Sequence, residues 1–276
     1  MSSIKKALRN AVEEVPFLSI VYRNIRDEYR FIRNKPVMTP MGFYFVGDRS
    51  METGAFEPEE TRIILEFFGT TDVFVDVGAN IGFYTCLAKS AGKIAVAVEP
   101  CPSNLRSLYR NLEVNSYSET EIWPVGLAGK PGIKALWGSG TGASVIEGWA
   151  NIARSWKQVI AVNTLDNCLG DRFQGNRLFI KVDVEGAEFG VLEGSTATLT
   201  RIPKPVWLME ITLCLNRPEC NPNFFKTFEM FWRNGYDAYT ADTNKRPVSE
   251  SDVRRWMEMG SCDYGSYNWL FVSGRS

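Results

Sequence analysis

The sequence predicts an α/β fold, a largely parallel sheet with helices on both faces. Three observations predict it. Val73-Phe74-Val75 is a short run of β-branched and aromatic residues, which suits a buried strand. It stops at Asp76, and Gly78, Asn80 and Gly82 follow, then helix-like residues 83–90. A strand, a glycine turn and a helix make the front half of an α/β unit. Next, strand-like runs that end on an acid recur down the chain, at Glu99, Asp183 and Glu210. Finally, 276 residues with 45% hydrophobic and 23% charged side chains suit one large globular domain with an appendage.

Bulk composition excludes several functions. A formal net charge of −1 gives no global basic field for nucleic acid. No run approaches the ~18 apolar residues of a transmembrane helix. The start, MSSIKKALRNAVEEV, has no signal-peptide core, so a cytoplasmic location is expected. The six cysteines form no C-x-x-C pair, and Cys214 and Cys220 are too far apart for a zinc knuckle of that kind. Free thiols are expected for Cys86, Cys101, Cys168, Cys214, Cys220 and Cys262. The chain has no histidine. That excludes a Ser-His-Asp triad, a Cys-His pair, a histidine base and any histidine-held metal. Proton transfer falls to Asp, Glu, Lys, Tyr, Cys or water. A metal would need oxygen ligands, which favours Mg²⁺ or Ca²⁺.

Taken in order, residues 1–34 read as two helices. Ile4, Leu8, Val12, Val15 and Leu18 form an apolar stripe, and Pro16 ends or kinks the first helix. The second, over residues 19–33, sets Ile20, Ile25 and Tyr29 against Arg23, Arg26, Arg30 and Arg33. The stripe could pack on the domain, form an oligomer contact or lie on a membrane surface. Residues 36–60 read as a short hairpin and a loop, with a strand at 42–47. Pro58, Glu59 and Glu60 open a helix that runs to about Phe68 and breaks at Gly69. A second strand, 93–99, ends at Glu99, where an acid can accept ribose hydroxyls. A helix over 100–115 follows, with Ser103 as cap and Leu105, Leu108 and Leu112 inward. Strand three is 121–125, with Gly126 and Leu127 near an adenine edge. Residues 128–162 break the alternation: 134–137, 144–147 and 158–163 look like strands of an antiparallel extension of the sheet. The loop 138–143 is rich in glycine but lacks the lysine of a phosphate loop. The strand 178–182 ends at Asp183, and its period of two puts Lys181 and Asp183 on one face. Glu185 is expected to begin a helix. Strand five is 205–211, ending near Glu210. A helix at 223–235 carries Phe224, Phe228 and Phe231, and short strands at 236–240 and 267–272 complete the sheet. Between them, 253–259 reads as an amphipathic surface helix, or an Arg-Trp cluster able to stack on a sugar or base.

The glycine spacing is informative. A dinucleotide fingerprint needs G-x-G-x-x-G, and here Asn80 stands where the second glycine should be. Asp76 to Gly82 instead resembles motif I, D/E-x-G-x-x-x-G, of class I S-adenosylmethionine-dependent methyltransferases. The trio DVGANIGFYT, IKVDVEGAE and WLMEI, with FEPEET ahead of it, resembles the FkbM family of those enzymes over roughly residues 42–212. IKVDVEGAE is the more specific part, a family signature rather than a fold signature. The resemblance implies a Rossmann-like sheet of order 3-2-1-4-5-7-6 with helices on both faces. Residues 1–60 would be an N-terminal appendage, 61–276 the methyltransferase domain, and about 128–162 a small β insertion. It implies S-adenosylmethionine as methyl donor and O-methylation of a carbohydrate, glycolipid or secondary metabolite. Asp76, Gly78, Asn80 and Gly82 would line the methionine end and Glu99 would hold the ribose. Glu57, Thr85 and Asp183, within the matching stretches, and Gly126 are counted as cofactor-binding too. Asp183 would face methyl group and acceptor, with Lys181, Glu185 and Glu210 nearby.

With no histidine, Asp183 is the expected base, helped by Lys181 or Glu210. Lys181 could instead act electrostatically or simply pair with Asp183. A divalent ion held by Asp183 and Glu210 is an alternative, less favoured. The expected partner is a small-molecule or glycan acceptor rather than nucleic acid. A methyltransferase of protein or nucleic acid, or a non-catalytic scaffold of the same fold, are the competing readings.

Overall fold

The computed structural model describes Glu28 and residues 31–138, 140–151, 157–216 and 219–274. Most of the two expected N-terminal helices, with Ile4 to Ile25, Tyr29 and Arg30, lies outside the described residues, as does Ser139 of the glycine-rich loop. Among the described residues no helix is long and apolar enough to cross a membrane.

The main sheet is built on β3 (Val73–Val77), β4 (Ile94–Val98), β5 (Glu121–Trp123), β9 (Leu178–Val182) and β10 (Val206–Glu210), all parallel. β13 (Asn268–Ser273) runs antiparallel between β10 and β11 (Tyr236–Thr240). From the β5 edge the order is β5-β4-β3-β9-β10-β13-β11, the 3-2-1-4-5-7-6 of the sequence reading, with a two-residue strand β12 (Pro247–Val248) added outside β11. β3 and β9 are buried along their whole length because both faces are covered, and they are apolar but for Asp76 and Lys181. Strand alternation sorts two cores. Val73, Val75, Val77, Ile180, Trp207 and Met209 face one side, where they meet α5 (Glu188–Glu193), α6 (Phe224–Arg233) and α7 (Glu250–Met259). Phe74, Phe179 and Leu208 face the other, against α2 (Pro58–Phe68), α3 (Phe83–Ser90) and α4 (Pro102–Glu113). The short hairpin β1 (Val37–Met38) and β2 (Tyr44–Phe45), followed by α1 (Arg49–Thr53), packs on this second side through Phe43, Phe45 and Met51.

Several expectations are corrected. Residues 128–162 do not extend the main sheet. β6 (Gly126–Leu127), β7 (Gly132–Trp137) and β8 (Lys157–Asn163) form a separate three-stranded sheet. Pro124 has no N–H to continue the β4 ladder, and the Val125 amide turns back to the Trp123 carbonyl. Residues 144–147 are not a strand; Ser144 makes one isolated bridge to Trp137. Glu185 does not open a helix, because it and Gly186 both have positive φ (54° and 99°), and α5 starts at Glu188. Ser103 is not the cap of α4: Cys101 holds that position without a side-chain bond, and Pro102 begins the helix. Trp256 is buried in the core, so it has no face to offer a sugar or base. The thiol expectation fails for one pair. The loop after β10 folds back, its Asn221 bonding Leu213 and Thr212, and Cys214 and Cys220 form a disulfide. Cys86, Cys101, Cys168 and Cys262 are free.

Candidate active site

The parallel strands point their carboxyl ends at one edge, where the loops diverge and leave a cleft. A cavity of about 320 Å³ lies there, walled by the loops after β3, β4, β9 and β10, by residues 48–57 and by the small sheet. The glycine loop forms its floor. The Gly78 and Ala79 amides both donate to the Val98 carbonyl, at 2.9 and 3.0 Å, which curls the loop over the end of β4. Gly78 has φ +84°, and a Cβ there would stand 1.8 Å from the Asp183 carbonyl oxygen. Only glycine permits that approach. It brings the β3 loop and the Asp183 segment into direct contact.

Glu99 directly follows β4 and is buried. Its Oε2 accepts from the Asn80 amide at 2.8 Å, and its Oε1 from the Cys101 amide at 2.8 Å and Asn104 Nδ2 at 3.3 Å. Burial pushes this carboxyl up to about 7, against the pull of the Cys101 and Asn80 amides. Asn80 has φ +53°, and its Oδ1 is buried without a hydrogen-bond partner. A buried acceptor left open at a ligand cleft calls for a donor from that ligand. The hydroxyl and ammonium groups of an amino-acid nucleoside such as S-adenosylmethionine supply such donors, so the cradle fits that group.

At the neighbouring strand end, Lys181 Nζ donates to Asp183 Oδ2 at 2.9 Å. The lysine is buried, whereas the Asp183 side chain keeps 23% of its surface exposed toward the cleft. Burial by itself would lower the ammonium, but Asp183, Glu57 and Asp76 together raise it above its ordinary value, so it stays charged. Lys181 Nζ also sits 4.9 Å from the centre of the Tyr84 ring. Glu57 enters from the loop before α2 with φ +39°, and its Oε2 accepts from Tyr84 Oη at 2.8 Å. Burial raises the Glu57 carboxyl, with Lys181 opposing. Glu185 accepts from Trp149 Nε1 at 2.6 Å, and its carbonyl from Ser144 Oγ at 2.6 Å, so the small sheet's loop is fastened to the segment after β9. Burial and Asp183 move Glu185 up to about 7. Burial, Asp183 and Glu185 push Glu210, at the end of β10, up to about 9.

Of the residues expected at the site, Glu57, Gly78, Asn80, Glu99, Gly126, Lys181, Asp183, Glu185 and Glu210 line the cavity. Asp76, Gly82 and Thr85 stand behind its wall. Asp76 is fully buried and accepts from Thr85 Oγ1 at 2.6 Å, so this pair braces the turn into α3. Sequence reasoning missed Tyr84 and Asn104. Tyr84 lies inside DVGANIGFYT and Asn104 in the first turn after Glu99; a polar side chain on the inward stripe of each helix was the available signal. Among the described residues no group of three or more Cys, Asp or Glu side chains is placed to hold a metal ion.

A family model described as the methyltransferase FkbM domain matches residues 76–238, more than half of the chain. No curated protein matches the sequence significantly. Solved structures that resemble this one include the precorrin-6y C5,15-methyltransferase from Geobacter metallireducens GS-15, with 14% identity over 84% of this chain and 94% of that chain and a TM-score of 0.42. The O-methyltransferase from Bacillus cereus in complex with SAH has 10% identity over 78% of this chain and 80% of that one, TM-score 0.43. An rRNA methylase from Streptococcus thermophilus has 11% identity over 83% and 98%, TM-score 0.38.

Proposed function

This chain belongs to the FkbM methyltransferase family, and we propose that it methylates a hydroxyl of a carbohydrate, glycolipid or secondary metabolite, with Asp183 as the base. S-adenosylmethionine is the methyl donor and brings an electrophilic methyl group on a sulfonium. Everything else falls to the protein. Glu99, Asn80 and the glycine loop hold the donor; Gly126 and Leu127 border it. Much of the rate then comes from positioning the acceptor oxygen in line.

The observation that carries the reading is the Lys181–Asp183 pair at the cleft. A neutral hydroxyl is a poor nucleophile and must lose its proton as the new carbon–oxygen bond forms. The lysine fixes Oδ2 at 2.9 Å and leaves Oδ1 to accept that proton, which later passes to water. Lys181, held charged, keeps the pair oriented through the cycle. Glu210, held protonated near neutral pH, can donate a hydrogen bond to a second hydroxyl of the acceptor. Besides protonated Glu210, the cavity wall carries Asp48, Glu57, Glu99, Asp183 and Glu185 against Lys181. Such a wall suits polyols and repels phosphates, which speaks against a nucleic-acid acceptor. A cytoplasmic location suits the four free cysteines. The Cys214–Cys220 bridge weighs against it, and alkylation of the protein as it leaves the cell decides between them.

The test is transfer of labelled methyl to a panel of glycans, glycolipids, peptides and RNA, with Asp183→Asn alongside wild type. A hydroxylated small-molecule or glycan product is expected. The variant should lose about 100-fold or more in kcat while binding S-adenosylhomocysteine normally. Near-normal turnover by Asp183→Asn would remove the base assignment. Loss of activity in EDTA would replace it with a metal-assisted one.

A further inference from the structure

We propose that Tyr84 is the positioning residue of this site, setting the distance between Glu57 and the Lys181–Asp183 pair. The proposal rests on reading the cleft as the S-adenosylmethionine site. Three observations place Tyr84 between the two arms. Its hydroxyl donates to Glu57 Oε2 at 2.8 Å. The Thr61 hydroxyl, 3.3 Å away, backs the phenol from the first turn of α2. Its ring face carries the Lys181 ammonium at 4.9 Å. One side chain therefore touches both a carboxylate and a cation of the cleft, and the two come from segments far apart in the chain.

Glu57 needs such a restraint. Its backbone is left-handed (φ 39°, ψ 67°), which costs a residue with a Cβ, and Pro58 follows it directly. It precedes α2 without capping the helix through its side chain. A strained residue persists where its surroundings over-determine it, and such residues cluster at ligand sites. Here the carboxylate is turned into the cavity and tied down by the phenol. Tyr84 is buried, and burial with the Glu57 charge beside it keeps the phenol protonated, so it always donates. Phe56 and Phe83 pack on Tyr84 with centroids 5.9 and 5.3 Å away and lock the ring. Held there, Glu57 offers its second oxygen to a cationic group, and the ammonium of the methyl donor has the matching charge.

Calorimetric titration with S-adenosylhomocysteine tests this in four proteins: wild type, Tyr84→Phe, Glu57→Gln and the double variant. Phenylalanine keeps the ring, its packing and its face toward Lys181, and removes only the hydroxyl. Urea unfolding should show Tyr84→Phe folded with a midpoint near that of wild type. Its affinity should fall about tenfold, the worth of one charge-assisted hydrogen bond. Glu57→Gln should lose at least as much, and the double variant no more than Glu57→Gln alone, because the phenol acts through Glu57. Unchanged affinity in Tyr84→Phe, or losses that add in the double variant, overturn the proposal while leaving the donor site intact. Absence of binding by the wild type overturns the donor site itself and the proposal with it. If Tyr84→Phe does not fold, Thr61→Val takes its place. A smaller loss that vanishes in the Glu57→Gln background is expected, and one that persists there is refuting.

Discussion

Replacing Gly78 by alanine tests the contact on which the whole cleft depends. Two costs are involved, and a second glycine separates them. Gly92, after α3, also has positive φ (+73°), but nothing lies within 4 Å of its would-be Cβ. Gly92→Ala therefore reports the left-handed backbone alone, about 1–2 kcal/mol, less the ~0.4–1 kcal/mol that alanine gains by restricting the unfolded chain. Gly78→Ala pays the same and must also clear the Asp183 carbonyl. Its Cβ would lie 1.8 Å from that oxygen, whereas real Cβ atoms essentially never come within 3.0 Å, so the loops must part by at least 1.2 Å. The neighbour is backbone, and it cannot swing aside as a side chain can. Parting the loops strains the Asp183 N–H to Val77 carbonyl bond, now 3.0 Å, at the end of the β3–β9 ladder. Overpacking costs about 1–3 kcal/mol and a lost backbone bond about 1 kcal/mol. Gly78→Ala should thus be about 2–4 kcal/mol less stable than Gly92→Ala by urea unfolding. It should also bind S-adenosylhomocysteine far more weakly, since the glycine loop and Asn80 move, while Gly92→Ala binds as wild type. Equal stability of the two variants would refute the close approach, as would wild-type binding by Gly78→Ala.

Two further expectations concern pH. In the proposed donor site ribose hydroxyls would donate to ionised Glu99, whose carboxyl is held up to about 7; affinity for S-adenosylhomocysteine should then strengthen as pH rises through 7 and level off. Glu99→Gln should bind about tenfold or more weakly and lose that step, and a step retained in the variant would assign it elsewhere. For Glu210, the folded value of about 9 lies above the ordinary 4.5, so the folded state holds the proton more tightly. Its contribution to stability is complete below pH 4.5 and is lost as pH rises toward 9. Glu210→Gln should therefore unfold at higher urea than wild type at pH 8–9, and the gap should close by pH 5. A gap that widens on acidification would contradict the burial of this carboxyl.

The main sheet was readable because its signals are local. A buried parallel strand is a continuous apolar run, a left-handed turn needs glycine, and a period of two puts Lys181 beside Asp183. From these came the strands, the glycine loop, the Glu99 cradle and the ion pair, while the strand order was an expectation from the family resemblance. The misreadings share a cause as well. Glu185 sits in an apolar-to-helical pattern, yet its left-handed backbone is held by Ser144 and Trp149, the latter 36 residues away. The segment after Trp123 has strand-like composition, but Pro124 denies it the main ladder, and a partner 36 residues on, pairing Gly126 with Val162, makes it a second sheet.

What the sequence by itself determined is one wall of the cleft: strand, glycine turn, acid, and a lysine–aspartate pair two residues apart. Each depends on spacings of a few residues, which backbone geometry converts directly into direction. What only the tertiary structure decided is the other wall. Glu57 meets Tyr84 across 27 positions, and Cys214 meets Cys220 around a loop. Trp149 reaches Glu185 from the loop between β7 and β8. Such contacts depend on where turns and strand edges bring distant segments together, and no local period encodes that.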